Sequence, residues 1–486
     1  MSGVVKFCLV CVDKALIMSH RIKMNLKITV ASIPAGLAFL AALMSGGSPS
    51  AQTLTEALAT AYSTNPSLLA QQSQLKAVDE SVSQALSNWR PDVTLSGDIE
   101  RKYTRLNTRT ADRDQIRTPR NGTLTVTQPL FRGLRTVSGV SRAEANVQAQ
   151  RATLLGFEQN MLLQAATAYT AVVRDEAVLQ LNINNEQVLR RQLEATQDRF
   201  RVGEITRTDV SQAEARLAGA TADRIQAEGT LQISRASYFN VIGQAPGQLT
   251  APESLQDLPK SLEEAQGIAN ENHPDIVSAQ FGERSAQEAV KAKRGELYPT
   301  LNMVGTLSRV WENTSNDSQQ TTGEVRLDLS VPIYQQGAVY SELRKAKVDA
   351  GRSRLDLEDA RRTVLENVSS TWESLTTARA RIKSFEAQIR AAEIALEGVQ
   401  REASVGSRTV LDVLDAEQEL LDAKVSLVRA QRDEVVASFQ LKEAVGQLTA
   451  ENLSLPVEIF DPAAYYGKVR SKLFGADLPG GQTSKK

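Results

Sequence analysis

The sequence predicts a mainly α-helical protein with a membrane β section, assembled from two copies of one helix-hairpin-helix unit. Three observations predict it. The phrase "RVGEITRTDVSQAEA" at 201–215 returns as "SVGSRTVLDVLDAEQ" at 404–418, with Val-Gly, Thr, Asp-Val and Ala-Glu each 203 residues after its counterpart. Long stretches place apolar residues every three or four positions, the period of a helix. Each copy also holds two short runs in which apolar and polar residues alternate, the period of a strand.

Composition agrees. In 486 residues there are only 28 Gly and 15 Pro, and aromatics make up 5%, which favours long regular helices over many loop-rich units. A formal net charge of −1 gives no reason to expect a nucleic-acid partner. Both cysteines, Cys8 and Cys11, lie in the first dozen residues. Removal of that segment leaves no thiol, so disulfides and cysteine metal sites drop out and no cofactor is expected.

Residues 1–51 read as a signal peptide region. From Met24, the expected start, a lysine precedes an apolar run from about Ile28 to Met44, and a small-residue stretch follows with cleavage expected between Ser48 and Ala51. No other apolar stretch approaches the roughly 18 residues of a spanning helix, which excludes a helical inner-membrane transporter.

The first structural repeat occupies 52–244 and the second 261–447. Asn65-Pro66 answers to His273-Pro274 and Pro91 to Pro299, both at an offset of 208, while "VIGQ" at 241–244 answers to "AVGQ" at 444–447 at 203. Residues 245–260 form a Pro-containing linker, and residues 448–486 an irregular C-terminal tail.

In each copy a helical stretch ends before Pro91 or Pro299, because the residue preceding proline is pushed out of the helical region. Alternation then marks a two-stranded hairpin, at about 92–130 and about 300–333, with polar loops at 108–122 and 312–323. Val93, Leu95 and Ile99, then Leu301, Met303 and Leu307, form apolar faces opposed by Thr94, Ser96, Asp98, Arg326 and Asp328. Apolar outside and polar inside is the pattern of a membrane barrel strand, although an ordinary half-buried sheet alternates too. Trp89, Phe131, Tyr298 and Tyr334 at the proline ends, and Trp311 towards the loop, stand where interfacial girdles would. Four strands cannot close a barrel, whose known minimum is about eight, so lipid-facing strands would require several chains to share one.

Each hairpin is followed by two tunnel-length helices, about 137–201 and 206–242, then about 339–404 and 409–446. The longer of each pair would reach roughly 100 Å at 1.5 Å per residue. Leu375, Ala378, Ile382, Phe385, Ile389, Ala392, Leu396, Val399 and Ala403 step by three and four as a coiled-coil seam. Val413, Ala416, Leu420, Ala423 and Ala430 keep the same rhythm, and Val210, Ala213, Leu217, Ala220 and Ala227 repeat it 203 residues earlier. Gly203 and Gly406 fall where a long helix ends, the place for a left-handed cap. Thr206 with Asp209 and Thr409 with Asp412 then fit the box that opens a new helix, so each repeated phrase is a hairpin-tip turn.

The duplicated layout over 53–447, and above all "RVGEITRTDV" and "SVGSRTVLDVLDA", resemble the TolC family of outer-membrane efflux and type I secretion proteins. The resemblance implies a homotrimer in which four strands per chain complete a 12-stranded β-barrel continuous with a trimeric α-helical barrel. It further implies an exit duct in the outer membrane, with a large periplasmic part, in a Gram-negative bacterium. Implied partners are outer-membrane lipid, a periplasmic adaptor (membrane fusion) protein and an inner-membrane pump of the ABC, RND or MFS type. By the same resemblance Arg408 would bond Thr208 and Asp209 at a closed periplasmic entrance, and Asp412 and Asp415 would line it as acidic rings. The copies diverge there, with Ile205 opposite Arg408 and Gln212 opposite Asp415. One departure is Ala403, where close relatives of the founding protein carry a tyrosine that joins the gate latch.

Two other classes compete. A periplasmic coiled-coil adaptor without a pore would carry one hairpin inside a lipoyl-like β domain, whereas this chain has two equivalent copies. An enzyme finds little support: His273 is the one histidine left after the signal region and sits at a helix start, and there is no nucleotide loop, metal-ligand cluster or nucleophile motif.

Overall fold

The computed structural model describes residues 52–108 and 111–478. The expected signal region lies outside the described residues. Helices α1 (Leu54–Thr64) and α2 (Pro66–Ser87) open the first copy, and α5 (Leu262–Asn272) and α6 (Pro274–Arg294) the second. Asn65 and His273 do the same work in each: Asn65 Oδ1 accepts from the amides of Ser67 and Leu68, and His273 Nδ1 accepts from the Asp275 amide at 3.2 Å. A proline directly follows each cap, where a missing N–H costs nothing.

Strands β1 (Asp92–Ile99), β4 (Arg120–Arg132), β5 (Thr300–Trp311) and β6 (Gln319–Ser330) form one antiparallel sheet in the order β1-β4-β5-β6. Its register puts like beside like. Val93, Val126, Gly305 and Val325 make one row, and Leu95, Leu124, Leu307 and Gly323 the next. The alternate rows are polar: Thr94, Thr125, Thr306 and Glu324, then Ser96, Thr123, Ser308 and Thr322. On the apolar face Leu95 is 81% exposed and Val325 76%, so nothing among the described residues covers it.

The first hairpin is longer than its apolar alternation predicts. β2 (Lys102–Thr108), which precedes the stretch read as a polar loop at 108–122, and β3 (Ala111–Arg117), which lies within it, pair as a separate ribbon. The register carries over from the sheet, because the Glu100 amide donates to the Pro119 carbonyl across the gap and Lys102 then faces Arg117. Charge pairing such as Arg105 with Asp114, 3.6 Å apart, replaces the apolar signal by which strands are recognised.

Two 67-residue helices, α3 (Arg135–Arg201) and α7 (Ala338–Ser404), leave the sheet, and α4 (Arg207–Ile242) and α8 (Val410–Ala444) return beside them. The chain is thus mainly helical, with paired helix hairpins and one antiparallel sheet, and a single chain closes no barrel among the described residues. No described helix is both long and apolar enough to cross a membrane. Where β4 hands over to α3, Gly133 has φ +61°, and a Cβ placed on it would lie 2.1 Å from the Gly295 carbonyl oxygen. A Cβ on Gly295 would in turn lie 2.3 Å from the Gly133 carbonyl oxygen. The two copies therefore touch backbone to backbone at this junction.

The largest core unites α1, α2, α3, α4 and α8 around Leu68, Leu75, Leu162, Tyr169, Tyr238 and Phe439, all 2% exposed or less. The Tyr169 hydroxyl bonds the carbonyls of Gln52 and Thr250 at 2.7 and 2.8 Å, fastening the first described residue to the linker. Seam residues interleave as their spacing predicts, with Ala423, Ala430, Leu441 and Ala444 on α8 at most 1% exposed. The tail also joins the core. Leu448 and Ala450 are fully buried, and the short helix α9 (Ala464–Val469) lies on α2 with Tyr465 bonded to Glu80 and Arg470 to Glu144.

Candidate functional site at the hairpin tips

Each tip is a helix stop followed at once by a helix start. At the first, Gly203 adopts φ +78°, and the amides of Gly203 and Glu204 donate back to the carbonyls of Phe200 and Arg199 at 2.9 and 3.0 Å. At the second, Gly406 adopts φ +79°, and Gly406 and Ser407 donate to Ala403 and Glu402 at 3.2 and 3.0 Å. A side chain would meet nothing within 4 Å at either glycine, so the left-handed backbone rather than crowding is what asks for glycine.

Both new helices open with a complete capping box. Asp209 Oδ2 accepts from the Thr206 amide and hydroxyl at 2.9 and 2.8 Å, and Asp412 Oδ2 accepts the matching pair from Thr409 at the same distances. These bonds hold both carboxyls below the usual range, the hydroxyl leading at Asp209 and the backbone N–H leading at Asp412, with Arg199 and Arg408 adding attraction. Asp209 and Asp412 are thus ionised cap residues.

One ion pair closes each turn, with its polarity reversed between copies. Arg199 before the glycine donates to Glu204 after it at 2.7 Å, whereas Glu402 before the glycine accepts from Arg408 after it at 2.9 Å. Among the described residues the partner of Arg408 in the single chain is therefore Glu402, and neither Thr208 nor Asp209 bonds to it. Thr208 lies exposed in the first turn of α4. Ala403 is 9% exposed, tucked into the hairpin seam, where the small side chain fits.

The two hairpins of the chain also meet each other. Val410 and Leu414 of α8 pack on Leu189 and Leu193 of α3 and on Ala213, Leu217 and Ala220 of α4. Beside this patch Arg216 of α4 forms an ion pair with Asp415 of α8. Asp415 is thereby tied to the other hairpin of its own chain. Arg216 was not among the residues singled out from the sequence, and no signal there marks it, because its partner lies 199 residues away at neither repeat offset.

Comparison with known proteins follows the same architecture. A family model described as "Outer membrane efflux protein" matches residues 57–244 and 267–447, one match per repeat. The chain is 34% identical over 441 residues to the outer membrane efflux protein BepC of Brucella suis, covering 90% of this chain and 95% of that one. It is 26% identical over 421 residues to the outer membrane protein TolC of Escherichia coli, covering 83% and 84%. Its fold superposes on the CmeC outer membrane channel of Campylobacter jejuni with a TM-score of 0.74 at 14% identity, over 92% of this chain and 98% of that one. The chain is accordingly an outer membrane channel component with a large periplasmic part, rather than an enzyme. Matched in both of its repeats, this chain belongs to the TolC-type outer membrane efflux protein family.

Proposed function

We propose that three copies of the chain assemble into one duct, a 12-stranded barrel in the outer membrane leading from twelve periplasmic helices. The duct serves as the passive exit of a tripartite efflux pump or type I secretion system. The observation that carries this reading is the four-stranded sheet. Its edges β1 and β6 have no partner strand among the described residues, and its apolar face is bare. An open edge and an uncovered apolar face are stable only when something supplies the missing hydrogen bonds and excludes water, and identical neighbours set in lipid supply both. Tyr340, Val348 and Leu355 on α7 and Ile225 and Ile233 on α4, each more than half exposed, mark helix faces that neighbouring subunits would cover.

In this reading the tips form the periplasmic entrance, where an adaptor and an inner-membrane pump dock. Substrate enters there when the hairpins splay, and no bond in the substrate is made or broken. Arg408 latches the closed state, exchanging Glu402 for Thr208 and Asp209 when the tips converge. Asp412 and Asp415 supply the acidic lining, and Arg216 restrains Asp415. The experiment is electrophoretic and electrical. Purified protein should run as a heat-resistant trimer, and Arg408→Ser should raise single-channel conductance in planar bilayers. A monomer without affinity for detergent or lipid would overturn the duct, and unchanged conductance would remove Arg408 from the latch.

A further inference from the structure

The apolar face of the sheet is asymmetric along its strands. At the end near the helices, successive rows read Phe131, Leu301, Leu329 and Gln128, Met303, Leu327, without a cation. At the far end the rows on the same face read Gly97, Gly122, Arg309, Thr321 and then Ile99, Arg120, Trp311, Gln319. Continuing the alternation across the Glu100–Pro119 backbone bond, in the gap between the sheet and the β2–β3 ribbon, carries this face to Arg101 one step further out, followed by Tyr103, which is 58% exposed. Three arginines and two aromatic rings therefore border the apolar band at its outer limit. The Arg309 guanidinium lies 5.2 Å from the Trp311 ring centre and donates to Gln319 at 3.2 Å, which fixes its place at the rim. Arg120 stands 3.9 Å from Glu312 with its side chain 60% exposed, an engagement loose enough to leave donors for a ligand. From Glu100 to Arg120 the chain carries seven basic residues against three acidic ones, an excess unlike the near-neutral whole.

We propose that Arg101, Arg120 and Arg309 form a rim that binds the phosphate groups of the phosphorylated glycolipid making up the outer leaflet. This inference rests on the lipid-embedded barrel proposed above. Arginine suits the ligand because its planar fork meets two phosphate oxygens at once and stays charged beside apolar surface. Trp311 and Tyr103 lie at the height where amphipathic rings meet headgroups, so they would lie against the sugars while the arginines hold the phosphates. In a trimer the rim repeats three times and encircles the barrel, which anchors the duct at one depth.

The test uses full-length trimer in neutral detergent, titrated with diphosphoryl lipid A and followed by native mass spectrometry. The wild-type trimer should bind it at least about tenfold more tightly than dephosphorylated lipid A or phosphatidylglycerol, and R101Q/R120Q/R309Q should lose that preference. Equal binding by the triple variant, equal binding of phosphatidylglycerol, or displacement by inorganic phosphate at equal concentration would each overturn the rim. Heat-resistant trimer and bilayer conductance, measured on the same samples, report separately on the barrel: a wild-type protein lacking both defeats the barrel itself. Should the glutamine variant fail to assemble, R101K/R120K/R309K keeps the charge but not the fork, and must bind lipid A several-fold more weakly than wild type for the proposal to stand.

Discussion

Arg216→Gln removes the ionic link between the two hairpins of each chain while leaving a side chain of similar length. The Arg216 and Asp415 side chains are 39% and 57% exposed, so one such pair is worth only about 0.2–1 kcal/mol, within the range of surface pairs. In the proposed trimer, three subunits opening together would break three, about 0.6–3 kcal/mol, which raises the open-to-closed ratio by about threefold to about 160-fold. The assay is single-channel recording of reconstituted trimer at low and high potassium chloride. Exposed pairs are screened by salt, so wild type should approach the variant's conductance at about 1 M and differ most near 0.1 M. A swap, R216D/D415R, should recover the wild-type trace at low salt. A difference that persists unchanged at high salt, or a swap that behaves like the single variant, would mean that the apolar patch of Val410 and Leu414 holds the hairpins together without the ion pair.

Other outcomes follow from the same geometry. Gly406→Val places a β-branched residue at φ +79° and should cost about 1–2 kcal/mol at the second tip, visible as faster amide exchange in residues 402–412 with the sheet unaffected. Gly133→Ala drives a methyl group into the Gly295 carbonyl and should abolish heat-resistant trimer; assembly at wild-type yield would show that the junction yields. Asp209 and Asp412 have depressed pKa values, so their caps contribute fully above the unfolded value of about 4 and are lost as pH falls through the lower folded one. Tip protection from exchange should thus be flat from pH 5 to 8 and fall only in stronger acid. Asp79, 1% exposed on α2, has both carboxyl oxygens buried without a hydrogen-bond partner among the described residues, and burial pushes its pKa up to about 6. The folded state then binds the proton more tightly than the unfolded chain, so stability declines as pH rises from about 4 through 6. Asp79→Asn should remove that decline, read by thermal melts at pH 4, 5, 6 and 7.

The helical part was legible because its packing is written periodically: Ala423, Ala430, Leu441 and Ala444 recur on one face and are buried on one face. The tips were legible because stopping and restarting a helix needs particular chemistry, glycine at Gly406 and a Thr-Asp box at Thr409 and Asp412. The β2–β3 ribbon left no such trace, since Lys102 faces Arg117 and Arg105 faces Asp114 and neither side of the ribbon alternates with an apolar one. The strap formed by the tail was hidden for a related reason. In α9 only Val469 is fully buried, too little in six residues to make a period, while Tyr465 and Tyr466 act through their hydroxyls and ring faces. Contacts between elements distant in sequence, such as Arg216 with Asp415, have no local signature at all.

The contact of Gly133 with Gly295 has a mechanical consequence. With no side chain between the two main chains, the two copies sit there closer than any residue other than glycine allows. A contact this close resists relative movement of the copies at that level, so bending of the long helices falls along their length, between it and the tips. In the proposed duct, a partner that pries the tips apart would widen the mouth while the bore beyond the junction keeps its diameter.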